Sequence, residues 1–298
     1  MNLSSLQKIR WLILFSLLGL NASYGANESS GAPNQTTPTT NVQSLSTKTL
    51  NVVAPTRDVS TTADSLFFYP LLKLALTKTE DTDGPFTLSY FPQTLSSARI
   101  LNKLKTNDGI NVVWTSTSSE RENDFRFVPI SLLRELSNYR VFLIRKEDSA
   151  RFQNIKTLDE LRQLKVGMGG HWPDAALLRN NHFEVETSIY YEALFKMLAS
   201  KRFDYFPRGL FEAWNDLDQH QDLNLMIEPR LMFYYKAPFY FFVNKDNTAL
   251  ADRLERGLKI AMADGSYEAL LFSVPTFKKA YEEQHNNQRL TFKLEELY

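Results

Sequence analysis

Tyr139–Lys146 reads YRVFLIRK, an aromatic and β-branched run with its charges confined to the two ends. That is the composition of a long strand. Ala237–Asp246, APFYFFVNKD, mirrors it much later in the chain. What surrounds these two strands decides the architecture. Upstream, TLNVVAP (Thr49–Pro55), FTLSYFP (Phe86–Pro92) and INVVWT (Ile110–Thr115) read as strands. Between them, TTADSLFFYPLLKLALTKT (Thr61–Thr79) and TLSSARILNKLKTND (Thr94–Asp108) carry apolar residues at helical spacing, with a kink expected at Pro70. Strand, helix, strand, helix, strand requires parallel pairing with crossovers. A second unit of the same kind lies between the two long strands. It runs through TLDELRQL (Thr157–Leu164), the strand KVGMG, a helix from near Trp172, FEVETS, the amphipathic YYEALFKMLASKR (Tyr190–Arg202) and the strand FDYF. After Asp246 the chain is helical through ALADRLERGLKIAMADG. The expected fold class is α/β, with two lobes connected by the two long strands running antiparallel.

Outside this body, Lys8 and Arg10 precede the apolar run WLILFSLLGL (Trp11–Leu20), and small residues follow in NASYGA. This is the pattern of a cleaved secretory signal over 1–26, with an uncleaved anchor as the alternative. Residues 27–47 are rich in Asn, Ser, Thr, Gln and Pro and read as a disordered linker. The first lobe is expected over 48–138, the second over 139–236, and a return strand with the rest of the first lobe over 237–298. Cysteine is absent from all 298 residues, which excludes a disulfide framework and a thiolate metal site or nucleophile. The 34 basic and 34 acidic residues balance, and losing Lys8 and Arg10 with the signal leaves a net charge near −2. Such near-neutrality provides no electrostatic footprint for nucleic acid.

The order of pieces resembles the type II periplasmic solute-binding proteins, in particular the family 3 amino-acid-binding components of ABC transporters. The similarity runs from about Leu50 to Tyr281. SSERENDF (Ser118–Phe125) resembles that family's Thr-Pro-Glu-Arg segment, and YRVFLIRKED its first crossover strand. IKTLDELRQLKVGMGG (Ile155–Gly170) resembles the short Leu-Asp-Glu-Leu helix before a Val-Gly strand. YYEALFKMLASKRFDYF (Tyr190–Phe206) resembles the following helix and strand. FYFFVNKDNTALADRLERGLKIAMADGSYEALL (Phe239–Leu271) resembles the return strand and closing helix, with its Asp-Gly-Ser/Thr-Tyr-Glu signature. The resemblance implies a two-lobed periplasmic-binding-protein-like II fold with two hinge-crossing strands, and a small polar ligand held in the cleft between lobes that close over it.

In open α/β sheets ligands collect beyond the C-terminal ends of parallel strands, which selects the candidate residues. Arg121 matches the arginine that the family uses to clamp a ligand carboxylate, a task its planar fork suits; the bland alternative is a loop arginine paired with Glu120 or Glu122. Ser118 stands for the family's threonine, and Trp114 and Thr115 lie at the same strand end. In GMGGHWPD (Gly167–Asp174), the turn Gly170, His171 and Trp172 takes the place of the family's Gly-Ser-Thr before a helix. His171 reads equally well as a contact or as an ordinary loop residue. In KRFDYFPRG (Lys201–Gly209), Pro207 and Gly209 bracket Arg208, so a turn is expected where the guanidinium sits. The family presents an aspartate at this strand end; here the charge is reversed, and Glu212 is the nearest carboxylate. Arg208 facing Arg121 would favour an anionic ligand, whereas the alternative has Arg208 anchoring the turn to a neighbouring carboxylate. Arg57, after the first strand, supplies a third edge. Phe67, Phe68 and Tyr69 at helical spacing read as core, and Tyr190 and Tyr191 as packing.

The expected function is capture of a small polar solute, anionic or amino-acid-like, by a monomeric periplasmic protein serving an ABC permease or a sensor. No cofactor or metal is called for. The chain has no Gly-x-Ser-x-Gly elbow, His-Glu-x-x-His, P-loop or dinucleotide fingerprint, so catalysis is not expected. The alternatives are a periplasmic dehydratase or lyase on the same fold, with Glu212 or His171 as acid or base, and a sensory domain outside transport.

Overall fold

LNVVAPT forms strand β1 (Leu50–Thr56) in the computed structural model, which describes residues 49–56, 64–286 and 288–296. The leader over 1–26, the linker over 27–47 and Arg57 lie outside the described residues. A wide helical turn over Asp64–Phe68 leads into α1 (Tyr69–Thr77). Pro70 therefore falls in the first turn of α1, directly after that wide turn, so the departure from regular α-helix sits just before the proline. There follow α2 (Glu80–Asp83), β2 (Phe86–Thr94), α3 (Ser97–Lys105), β3 (Val113–Ser116), α4 (Ser119–Asp124) and β4 (Phe125–Phe127). β1 and β2 are parallel, with Val52 opposite Leu88. Asn111 ties β1 to the approach to β3: its side-chain oxygen accepts from Val53 N at 2.8 Å and its own N–H donates to Val53 O at 3.1 Å.

The chain enters the second lobe through β5 (Tyr139–Arg145), followed by α5 (Ser149–Gln153), α6 (Leu158–Arg162), β6 (Val166–Gly169), α7 (Pro173–Asn180), β7 (Val185–Ser188) and α8 (Tyr191–Ala199). Next come β8 (Phe206–Gly209), α9 (Ala213–Gln219) and β9 (Leu225–Tyr234). The chain returns through β10 (Phe239–Asn244) to α10 (Thr248–Ala263), α11 (Ser266–Ser273) and α12 (Pro275–Asn286), and ends with β11 (Leu290–Lys293). β5 and β10 do not pair with each other. β5 runs antiparallel between β8 and β9, while β10 runs antiparallel between β3 and β4. The two strands thus belong to different lobes, and the crossings are the segments that lead into them. Asn138 holds those segments together: its carbonyl accepts from Tyr235 N at 3.1 Å and its side chain from Ala237 N at 3.0 Å.

Pro207 and Arg208 belong to strand β8 rather than to a turn. β8 is the edge of the four-stranded sheet, where a proline lacking its N–H is tolerated. A second correction concerns 237–298, expected to finish the first lobe. Residues 290–296 instead rejoin the second: β11 lies parallel to β9, Phe292 and Leu294 enter the second lobe's core, and Asn181 and Glu295 exchange hydrogen bonds of 2.9 Å. Each lobe has its own apolar core. That of the first lobe also takes in Leu210, Phe211 and Ala213, from the segment after β8.

Helices α1 and α10 back onto each other so closely that a Cβ on Gly257 would fall 1.9 Å from Ala75 O. Gly257→Ala is expected to lower stability by about 1 to 3 kcal/mol. Alanine's better helix propensity, about 1 kcal/mol, cannot offset a clash with a backbone carbonyl, which has no rotamer to change. Thermal denaturation reads the sign, and a stabilised variant would contradict the close approach.

Candidate functional site

Strand register brings two C-terminal strand ends to the hinge from opposite lobes. After β3, Thr117 N donates to Pro238 O at 3.0 Å, inside the return crossing. At the end of β8, Gly209 lies opposite Arg140, and Leu210 N donates to Tyr139 O at 2.9 Å, directly after Asn138. Phe211 continues into the first lobe, its ring 5.8 Å from those of both Phe239 and Phe277. The residues that follow these two ends, Arg121 and Glu212, therefore flank the junction of the lobes.

On the first-lobe side Ser118 caps α4, its hydroxyl accepting from Arg121 N at 3.2 Å. The half-buried Arg121 guanidinium donates through Nη1 to the Ser116 carbonyl at 2.5 Å, the Ser116 hydroxyl at 3.1 Å and the Thr115 hydroxyl at 3.3 Å. These bonds fix the side chain against the strand end it follows. Glu122, considered as its ion-pair partner, accepts instead from the Thr117 hydroxyl at 2.7 Å. Trp114 does not wall a cleft. It is 1% exposed, its ring stacked 6.0 Å from Phe68 and set edge-on to Phe241, because the side chain points to the core face of β3. Phe67 and Phe68 are core as expected, and the half-buried Tyr69 stacks on Tyr90 at 4.1 Å.

On the second-lobe side the turn after β6 is tight. Trp172 N donates to Gly169 O at 3.0 Å and Gly170 N to Ser188 O at 2.9 Å. A Cβ on Gly169 would lie 2.4 Å from the Trp172 ring, so only glycine admits the indole there. Gly170 and His171 are exposed, and the half-buried Trp172 sits at the N-terminus of α7.

Arg208 is 5% exposed and engaged within its own lobe. Its Nε donates to Asp216 Oδ2 at 2.6 Å and its Nη2 to the Tyr191 hydroxyl at 3.1 Å, with Glu212 Oε1 also 3.1 Å away. Its guanidinium carbon lies 5.0 Å from the ring centres of Trp172 and Phe206 and 5.2 Å from that of Tyr191. Burial alone would lower its pKa; Asp216 and Glu212 raise it well above the ordinary arginine value instead. The expectation of two unneutralised arginines facing each other is thereby corrected: two carboxylates of the second lobe already face this one. The anchoring alternative describes its contacts.

Glu212 keeps 30% of its side chain exposed and accepts from Gly209 N at 3.0 Å. Burial raises its pKa, with the Arg208 charge acting the other way. Sequence reasoning missed Asp216, and it assigned Tyr191 to packing although its hydroxyl donates to Asp216 Oδ1 at 2.6 Å. It also missed a neighbouring cluster in which the Arg140 Nε and the Tyr235 hydroxyl both donate to Asp174 Oδ1, at 3.1 and 2.5 Å. No local spacing pairs these residues, and only the fold brings them together. No helix among the described residues is long and apolar enough to cross a membrane.

Neither a protein-family profile nor a curated protein sequence matches this chain. Solved structures do. An ancestral arginine-binding protein bound to glutamine is 17% identical, over 75% of this chain and 97% of its own, with a TM-score of 0.56. A structure concerned with glutathione import and the cystine ABC importer of Streptococcus mutans is 15% identical, over 76% of this chain and 95% of its own, at 0.56. A histidine kinase sensor domain with similarity to periplasmic binding proteins is 17% identical, over 76% of this chain and 96% of its own, at 0.55. Likeness at these identities establishes the fold.

Proposed function

We propose that this chain, whose fold is that of the type II periplasmic binding proteins, captures a small carboxylate-bearing solute between its lobes, outside the cytoplasm, and presents it to a permease or a sensor without transforming it. The observation that carries this reading is the placement of Arg121. A guanidinium oriented by the Thr115 and Ser116 oxygens follows the end of β3, at the hinge where the end of β8 arrives from the other lobe. A planar fork there suits a carboxylate, and hinge closure would bring the Gly169–Pro173 turn of the second lobe over it. The exposed Gly170 and His171 are the contacts assigned to that lobe. The basic and apolar run at the N-terminus, Lys8 to Leu20, supports an address outside the cytoplasm.

A thermal-shift screen of the chain against small carboxylic acids, amino acids and short peptides tests this. A true ligand at about a hundredfold over its Kd adds about 2.7 kcal/mol of stability. Arg121→Ala is expected to weaken that ligand about 10- to 100-fold, the loss of a charge-assisted hydrogen-bonded contact, with Arg121→Lys in between. A carboxylate held equally well by Arg121→Ala would remove Arg121 from the site, and turnover of the ligand would replace capture by catalysis.

A further inference from the structure

Arg208 is surrounded in the way a bound cation is. Its walls come from three neighbouring strands: Trp172 from the turn after β6, Tyr191 from the start of α8 after β7, and Phe206 from the first position of β8 itself. All three rings lie within 5.2 Å of the guanidinium carbon. Aromatic faces attract cations through their quadrupoles, most strongly where water is excluded. Two carboxylates complete the enclosure, Asp216 on Nε and Glu212 on Nη2. One guanidinium thus receives three ring faces and two acids, at the C-terminal edge of the sheet where α/β folds place ligands. A lone strand-anchoring ion pair needs only one carboxylate.

We propose that this edge of the second lobe is a cation-binding half-site kept filled by the chain's own Arg208. Deepening the capture reading above, and resting on it, this makes Arg208 a specificity-determining residue. An incoming amine or guanidine finds its place occupied. An incoming second carboxylate finds a cation already neutralised by Asp216 and Glu212. The solute class that remains is a carboxylic acid without an amine or guanidine, its carboxylate on Arg121 and its uncharged end toward the second lobe. A 2-hydroxy acid fits this description, and the 2-amino acid of the same carbon skeleton does not.

Vacating the cage tests the proposal without knowledge of the natural ligand. Isothermal titration with methylguanidinium is expected to show no saturable binding to the wild-type chain. Arg208→Ala is expected to bind it with a Kd on the order of 1 mM, at least about tenfold tighter than wild type, and to regain thermal stability as it binds. Any buried arginine paired to two carboxylates leaves a guanidinium-shaped space behind it, so methylguanidinium uptake tests the half-site and the lactate–alanine comparison below tests its role in specificity. A folded Arg208→Ala that does not bind methylguanidinium, or a wild-type chain that already does, overturns the proposal. If Arg208→Ala does not fold, Arg208→Ala/Asp216→Asn removes the stranded carboxylate as well, and Glu212 with the three rings should still bind methylguanidinium, more weakly; absence of binding there is equally fatal. In a second arm, lactate should shift the wild-type melting temperature more than alanine does, and a preference for alanine overturns the solute class. Binding of neither solute, with the cage result positive, would count against capture at Arg121 and leave the filled half-site standing.

Discussion

Replacing Asp216 by alanine is expected to destabilise the fold by about 3 to 5 kcal/mol, the range for breaking a buried ion pair from one side. The side chains of Arg208 and Asp216 are only 5% and 4% exposed, so water cannot stand in for the lost carboxylate. The substitution leaves the Arg208 Nε and the Tyr191 hydroxyl without the acceptors they use at 2.6 Å. Glu212 still faces the guanidinium, which keeps the loss within this range. For a body of this size the melting temperature should fall by about 10 °C. Asp216→Asn, which retains an acceptor oxygen but not the charge, should lose less. Urea denaturation with an unchanged slope measures the difference. A loss below about 1 kcal/mol would show that the pair is satisfied by solvent and would remove the sealed cage on which the role of Arg208 depends.

Trp114→Ala is expected to cost a similar amount, about 3 to 5 kcal/mol, through the cavity left by a large buried aromatic side chain. Near the end of the run INVVWT this indole has the sequence position of a ligand contact. Its surroundings are those of a core residue, with Phe68 stacked at 6.0 Å and Phe241 edge-on at 6.4 Å. The two roles differ in what the substitution changes. A cleft wall would leave stability near wild type and weaken a ligand, whereas a core residue lowers the denaturation midpoint first. Trp114→Phe, closer in volume, should recover most of the loss. Wild-type stability in Trp114→Ala would return the indole to the binding surface.

Much of the architecture could be read from the chain alone, because the periodicities that mark strands and helices are local. VVAP, VGMG and FYFF declare strands by composition, and LNKLK and ALADRLERGLK declare helices by spacing, whatever they later touch. The alternation of the two then imposes parallel pairing, as β1 and β2 show. The place of Arg121 just after a strand could be read the same way, while its candidate role came from the resemblance to the binding-protein family. Local pattern does not specify which elements become neighbours. LTFK (Leu290–Lys293) carries nothing that assigns it to the second lobe; β9 happens to offer it an open edge. The alternation that made VVWT a strand left open which face of Trp114 would be covered. Arg208 is the sharpest case. Its place in the chain, between Pro207 and Gly209, suggested a turn and an outward-facing charge, yet an edge position in the sheet admits the proline and keeps the strand extended. Its partners Asp216, Tyr191 and Trp172 come from three different helices or their caps, brought within reach only when β6, β7 and β8 end side by side. Charge type and strand end are properties of the sequence; whether a buried charge is already paired depends on distances of a few ångströms, and the tertiary structure alone sets those.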